Sequence, residues 1–128
     1  MMFDPHLAPA ALQQCLRERP NDPLVVCYCA LWCDTCQQYR QPFEALSTQW
    51  PNHVFIWADI EENPEWLGDE DVENFPTILV QEANGGNLFF GTQLPHIGHL
   101  ERLLSHLQQA APGQTQVGPP PLRDLAGV

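Results

Sequence analysis

Four of the five cysteines in this 128-residue chain fall within ten positions, at 27, 29, 33 and 36. They straddle a change of hydrophobic period. Leu24 to Ala30 (LVVCYCA) is a continuous apolar run, which predicts a strand covered on both faces. Cys36, Tyr39, Phe43, Leu46 and Trp50 then recur at spacings of 3, 4, 3 and 4, one face of a helix. Pro42 lies inside that helix and predicts a kink, because it removes a donor and crowds the preceding turn. The cysteines thus sit where a buried strand runs into a helix. Few folds allow that junction.

The rest of the chain supplies the layers around it. Ala8, Leu12 and Leu16 mark a first helix ended by Pro20, and His53 to Ile60 (HVFIWADI) is a second buried strand. Pro64 to Asp71 suits a short helix with Pro64 in its first turn. Thr77 to Val80 and Leu88 to Gly91 flank the tight turn Asn84-Gly85-Gly86-Asn87, so they form an antiparallel hairpin. Pro95 opens a last helix with Ile97, Leu100, Leu103, Leu104 and Leu107 on its apolar side. The order α-β-α-β-α-β-β-α predicts an α/β domain with a central mixed sheet flanked by helices on both faces. The domain is expected over residues 1–110. Residues 111–128, rich in Pro and Gly, are expected to form a flexible tail.

Sixteen acidic residues against five arginines and no lysine give a formal charge of −11. Such a surface repels phosphate backbones and anionic lipid, so neither nucleic acid nor membrane is an expected partner. Eight of the sixteen acids lie between Asp59 and Glu73 with no calcium-loop spacing, which reads as a solvated face. No apolar run approaches the roughly 20 residues of a membrane helix. The first twenty residues have no basic segment followed by an apolar one, so a cytoplasmic location is the expectation. In a reducing compartment a close cysteine pair is redox-active or metal-bound more often than structural.

Trp32-Cys33-Asp34-Thr35-Cys36 falls at the strand–helix junction. The first turn of a helix offers unpaired N–H groups and a positive dipole end, which stabilise a thiolate and predict a lowered pKa for Cys33. The two-residue spacing brings Cys36 round one turn, within reach of a disulfide. Cys33 is then the exposed attacking sulfur and Cys36 the inner one that resolves a mixed disulfide.

With these features the sequence resembles the thioredoxin-like family over roughly residues 8–110. A buried strand precedes a WCxxC motif, a helix containing a proline follows it, and Phe75-Pro76-Thr77 comes downstream. The resemblance implies a thioredoxin-like fold with four to five strands. It also implies a cis bond before Pro76, beside the dithiol, with Trp32, Phe75, Pro76 and Thr77 binding substrate. The activity it implies is a thiol–disulfide oxidoreductase acting through Cys33 and Cys36 on disulfide-containing proteins. Electrons would come from a reductase or a small thiol, with no bound cofactor and no metal.

The chain departs from the family at four positions. Asp34-Thr35 replaces the usual Gly-Pro between the cysteines, and a carboxylate beside Cys33 disfavours its thiolate. Cys27 stands where thioredoxin has a buried Asp, and Trp57 aligns with its accompanying lysine. General-base assistance to Cys36 is therefore not expected from that pair. Cys27 and Cys29 alternate onto one face of the strand, where packing as small hydrophobes is the expectation. The other reading makes C-x-C-x3-C-x2-C a thiol cluster that rearranges disulfides or holds a soft metal. A second function class stays open as well: a redox-inactive thioredoxin-fold adaptor or chaperone-like binding module that uses the Pro76 groove.

Overall fold

The computed structural model describes residues 1–109 and 116–128. Among the described residues, five strands form one sheet: β1 (Met2–Phe3), β2 (Leu24–Cys29), β3 (Val54–Asp59), β4 (Thr77–Gln81) and β5 (Asn87–Thr92), in the order β1-β3-β2-β4-β5. β3 runs parallel to β1 and β2, while β4 is antiparallel to both β2 and β5. This is the expected mixed sheet, with β1 as a short added edge.

Every residue of β2 is buried, since the strand is central and both its faces are covered. Leu24, Val26 and Tyr28 enter one core layer, with Leu12 and Leu16 of α1 (Pro9–Glu18) and with Trp66 and Leu67. Val25, Cys27 and Cys29 enter the other, against Tyr39, Phe43 and Leu46 of α2 (Asp34–Ser47) and Leu100 and Leu104 of α3 (Ile97–Gln109). The period-2 alternation of β2 thus sends both its cysteines into the α2 layer. α2 runs through Pro42 and buries Cys36, Tyr39, Phe43 and Leu46 of the 3–4 stripe, while Trp50 lies half-buried beyond its end. Phe43, at the middle of that stripe, packs against Phe55 and Trp57 of β3 at ring separations of 5.1 and 5.9 Å.

Two expectations need correction. The helix expected from Pro64 to Asp71 is one 3-10 turn, Pro64–Leu67, ended by Gly68 at a left-handed φ of 62°. The second concerns the tail, of which residues 111–115 lie outside the described residues. From residue 116 the chain is docked, and α4 (Leu122–Leu125) buries Leu122 completely in the α1 layer. Buried Gln81 holds the segment from below. Its Nε2 donates to the Pro120 carbonyl at 3.1 Å, and its Oε1 accepts from the Leu122 N–H at 2.9 Å. The Arg123 guanidinium donates to the carbonyls of Leu16, Arg19 and Asp22, covering the C-terminal end of α1. Gly85, at φ 97°, admits the segment, because a Cβ there would lie 2.6 Å from Pro121. Pro and Gly here set the path of a strap that one leucine and a few side-chain hydrogen bonds anchor.

Candidate active site

Cys33 is the N-cap residue of α2, with extended backbone (φ −89°, ψ 118°) and a half-buried side chain. The turn that presents it is tied down on both sides. The Cys33 N–H donates to the Ala30 carbonyl at 3.0 Å, and the Gln37 N–H donates back to the Cys33 carbonyl at 3.1 Å. Gln37 Nε2 also donates to the Leu31 carbonyl at 2.7 Å. Asp34 is exposed in the first helical turn, where the dipole favours a negative charge. Thr35 beside it is half-buried.

An apolar rim surrounds Cys33. Leu31 and Trp32 are 73% and 67% exposed, high values for large apolar side chains. The Trp32 ring meets Phe75 edge-on at 5.8 Å, and its indole N–H donates to Glu61. The Phe75–Pro76 bond is cis, as the resemblance implied. Thr77 opens β4 and donates its hydroxyl to the Asn74 carbonyl at 2.7 Å. The structure therefore gathers Trp32, Phe75, Pro76 and Thr77 at the end of the sheet that carries the cysteines. Leu31 was missed by the sequence reading, although an apolar residue between a strand end and a CxxC motif was its available signal.

Beneath the rim the pairing differs from expectation. Cys36 is bonded to Cys29, with the two Cα atoms 5.7 Å apart, and Cys33 is a free thiol. Cys29 and Cys36 are 1% and 2% exposed, so this disulfide lies under the surface. The expectation that Cys29 only packs is thereby corrected. Its place at the end of β2 points it at the first turn of α2, where Cys36 faces inward. Cys27, one pleat deeper, has its sulfur 3.6 Å from that of Cys29. Burial pushes the Cys27 thiol well above its ordinary pKa. The neighbouring Tyr39 phenol is raised too, chiefly by burial and further by Cys27, and its hydroxyl has no hydrogen-bond partner among the described residues. Trp57 lies under the Arg40 guanidinium, 5.4 Å from ring centre to charge. Among the described residues no group of three or more His, Cys, Asp or Glu side chains is placed to hold a metal ion.

The family model described as Thioredoxin matches residues 5–93. The chain belongs to the thioredoxin family. Among curated relatives, Thioredoxin H5 of Oryza sativa subsp. japonica is 33% identical over 61 residues, 48% of this chain and 45% of that protein. The chain spans less than half the length of the first curated relatives it matches. The fold extends further than the sequence identity. The thioredoxin of Fasciola hepatica superposes with a TM-score of 0.66 over 82% of this chain and 98% of that one, at 22% identity. A chain from the complex of ferredoxin:thioredoxin reductase and thioredoxin f2 gives 0.67 over 84% and 96%, at 13% identity. At these identities the likeness to solved structures carries the fold alone.

Proposed function

We propose that this protein is a thiol–disulfide oxidoreductase that reduces or exchanges protein disulfides through Cys33 and Cys36. Membership of the thioredoxin family and a cluster of four cysteines at one helix end support thiol–disulfide chemistry at the level of the family. The observation that carries the finer reading is the placement of Cys33. It is a free, half-buried thiol at the N-cap position of α2, with the exposed side chains of Leu31 and Trp32 next to it in the chain.

In the reduced protein, the Cys33 thiolate attacks one sulfur of a substrate disulfide. A mixed disulfide forms, and the substrate's other sulfur leaves with the electron pair. Cys36, three residues on, attacks Cys33 and releases the reduced substrate. The apolar rim and the backbone at Phe75–Pro76 hold the extended substrate segment against Cys33. Trp32, Phe75, Pro76 and Thr77 are its binding residues, while Asp34 and Thr35 tune the first turn. A reductase or a small thiol restores the dithiol. The fold likeness to a thioredoxin solved with its reductase agrees with this kind of partner.

The test is insulin reduction with dithiothreitol as electron source. The wild type is expected to accelerate precipitation of the insulin B chain, and Cys33→Ser to lose that acceleration. No acceleration by the wild type would favour a binding module that uses the same groove without redox chemistry, and equal acceleration by both proteins would move the chemistry to another cysteine.

A further inference from the structure

We propose that the site's disulfide migrates inward, from Cys33–Cys36 to Cys29–Cys36, so that the oxidised protein stores its disulfide in the core and presents Cys33 as a free thiol. The inference rests on the reading of Cys33 and Cys36 as the reacting dithiol and adds Cys29 as a third member. Three observations carry it. Cys36 is bonded to Cys29. Cys33, the cysteine nearest solvent in the motif, is unbonded. Both bonded residues are almost wholly buried, at 1% and 2% exposure.

The step is an internal thiol–disulfide exchange. The Cys29 sulfur attacks Cys36 Sγ in the Cys33–Cys36 bond, a new S–S bond forms, and the old one breaks. The electron pair leaves on Cys33, which takes up the proton that Cys29 gives up. Nothing is oxidised or reduced overall, so no co-reactant is needed. The reverse step, attack of Cys33 on Cys36, brings the disulfide back to the surface. Cys33 is therefore the way in and the way out, because an external thiol cannot reach sulfurs covered by the helix and sheet.

In the structure the bond stands at Cys29, and Cys27 is a free thiol. Cys27 is 3.6 Å away, sulfur to sulfur, but it lies two residues back on the same strand. Two residues of extended chain separate Cα atoms by about 6.6 Å. That is near the upper end of the roughly 4.4–6.8 Å range that disulfides span. Cys27 packs against the buried disulfide without joining it. The consequence is an oxidised state with a reactive thiol on its surface, able to form a mixed disulfide with a small thiol or a client while its own disulfide is kept.

The experiment maps the linkage in the full-length wild type. The reduced protein is oxidised with glutathione disulfide, quenched in acid, alkylated and cut with chymotrypsin after Tyr28, Trp32 and Tyr39. A bond from Cys29 to Cys36 joins peptides 29–32 and 33–39, whereas a Cys33–Cys36 bond stays inside the second. The joined pair, with Cys33 alkylated, is the expected result. A bond only within 33–39 and an alkylated Cys29 overturns the proposal. Reduction by dithiothreitol under native conditions gives a second readout. Oxidised wild type is expected to react at least about tenfold more slowly than oxidised Cys29→Ala, whose disulfide has nowhere to move. Equal rates also overturn the proposal. The two readings fail separately. Insulin reduction that survives Cys33→Ser removes the proposed dithiol function, while Cys33-dependent reduction without the 29–36 link removes only the migration.

Discussion

Cys27 on β2 lies directly opposite Trp57 on β3 in the parallel register of the two strands. These are the two positions where the thioredoxin pattern has a buried acid and its lysine. Here both are uncharged and both are buried, at 0% and 6% exposure. An acid–base pair under the dithiol can accept a proton from the inner thiol. A buried thiol beside an indole cannot do so near neutral pH, because low dielectric holds the proton on sulfur. The charge that the pair would have brought is replaced by packing, with Arg40 covering the outer face of Trp57.

The same burial makes stability depend on alkaline pH. The Cys27 thiol titrates well above 9.0 in the folded state, whereas in the unfolded chain it ionises near its ordinary value. Its contribution is therefore complete below about pH 9 and declines as pH rises, because the unfolded state sheds a proton that the folded state keeps. The slope is at most about 1.4 kcal/mol per pH unit for one group. Urea midpoints of wild type are expected to fall between pH 8 and 10, and those of Cys27→Ala to fall less. Parallel curves would show that Cys27 titrates alike in both states.

Thiol reactivity should follow exposure. In fully reduced protein, brief treatment with limiting iodoacetamide is expected to label Cys33 first. Cys27, Cys29 and Cys36 are covered, and Cys15 is half-buried against the α1 layer with the Arg19 guanidinium 3.9 Å from its sulfur. Peptide mapping reads the result. Faster labelling of Cys15 would place the reactive thiol away from the motif.

The order of attack is tested by trapping. Cys36→Ser removes the sulfur proposed to resolve the mixed disulfide and leaves Cys33, so mixed disulfides with client proteins are expected to accumulate as bands on non-reducing gels that vanish with reductant. Cys33→Ser is expected to trap none. Equal trapping by both variants would reverse the roles.

The layers were legible in the sequence because periodicity reports faces. The apolar run at Leu24 to Ala30 and the 3–4 stripe that starts at Cys36 each became an element of the expected type, β2 and α2, with α2 ending at Ser47, short of Trp50. Alternation along β2 also placed Cys27 and Cys29 on one face, the face that carries α2. What alternation does not report is distance. Whether Cys29 or Cys33 meets Cys36 depends on how deep the first turn of α2 sits over the end of β2, a tertiary quantity with no local signature. The short edge strand β1 and the strap to α4 were hidden for a related reason. Two residues, or one buried leucine among prolines, carry no period at all.

The strap makes the last prediction. Leu122 is fully buried in the α1 layer, so Leu122→Ala is expected to cost about 2–5 kcal/mol through lost burial and the cavity left behind. Removing residues 116–128 is expected to cost at least as much, for an added reason. Gln81 lies 1% exposed at the end of β4, and its amide is matched on the strap by the Pro120 carbonyl and the Leu122 N–H. In the full-length chain Gln81→Leu leaves the Pro120 carbonyl and the Leu122 N–H without that partner, and an unsatisfied buried group costs about 1–3 kcal/mol. In the truncated chain the amide is uncovered to water, so the same change should cost less. Urea unfolding of the wild type and the four variants measures all of these terms. If truncation leaves the midpoint where it was, the strap rests on the domain without supporting it, and the cost of Gln81→Leu should then be the same in both chains.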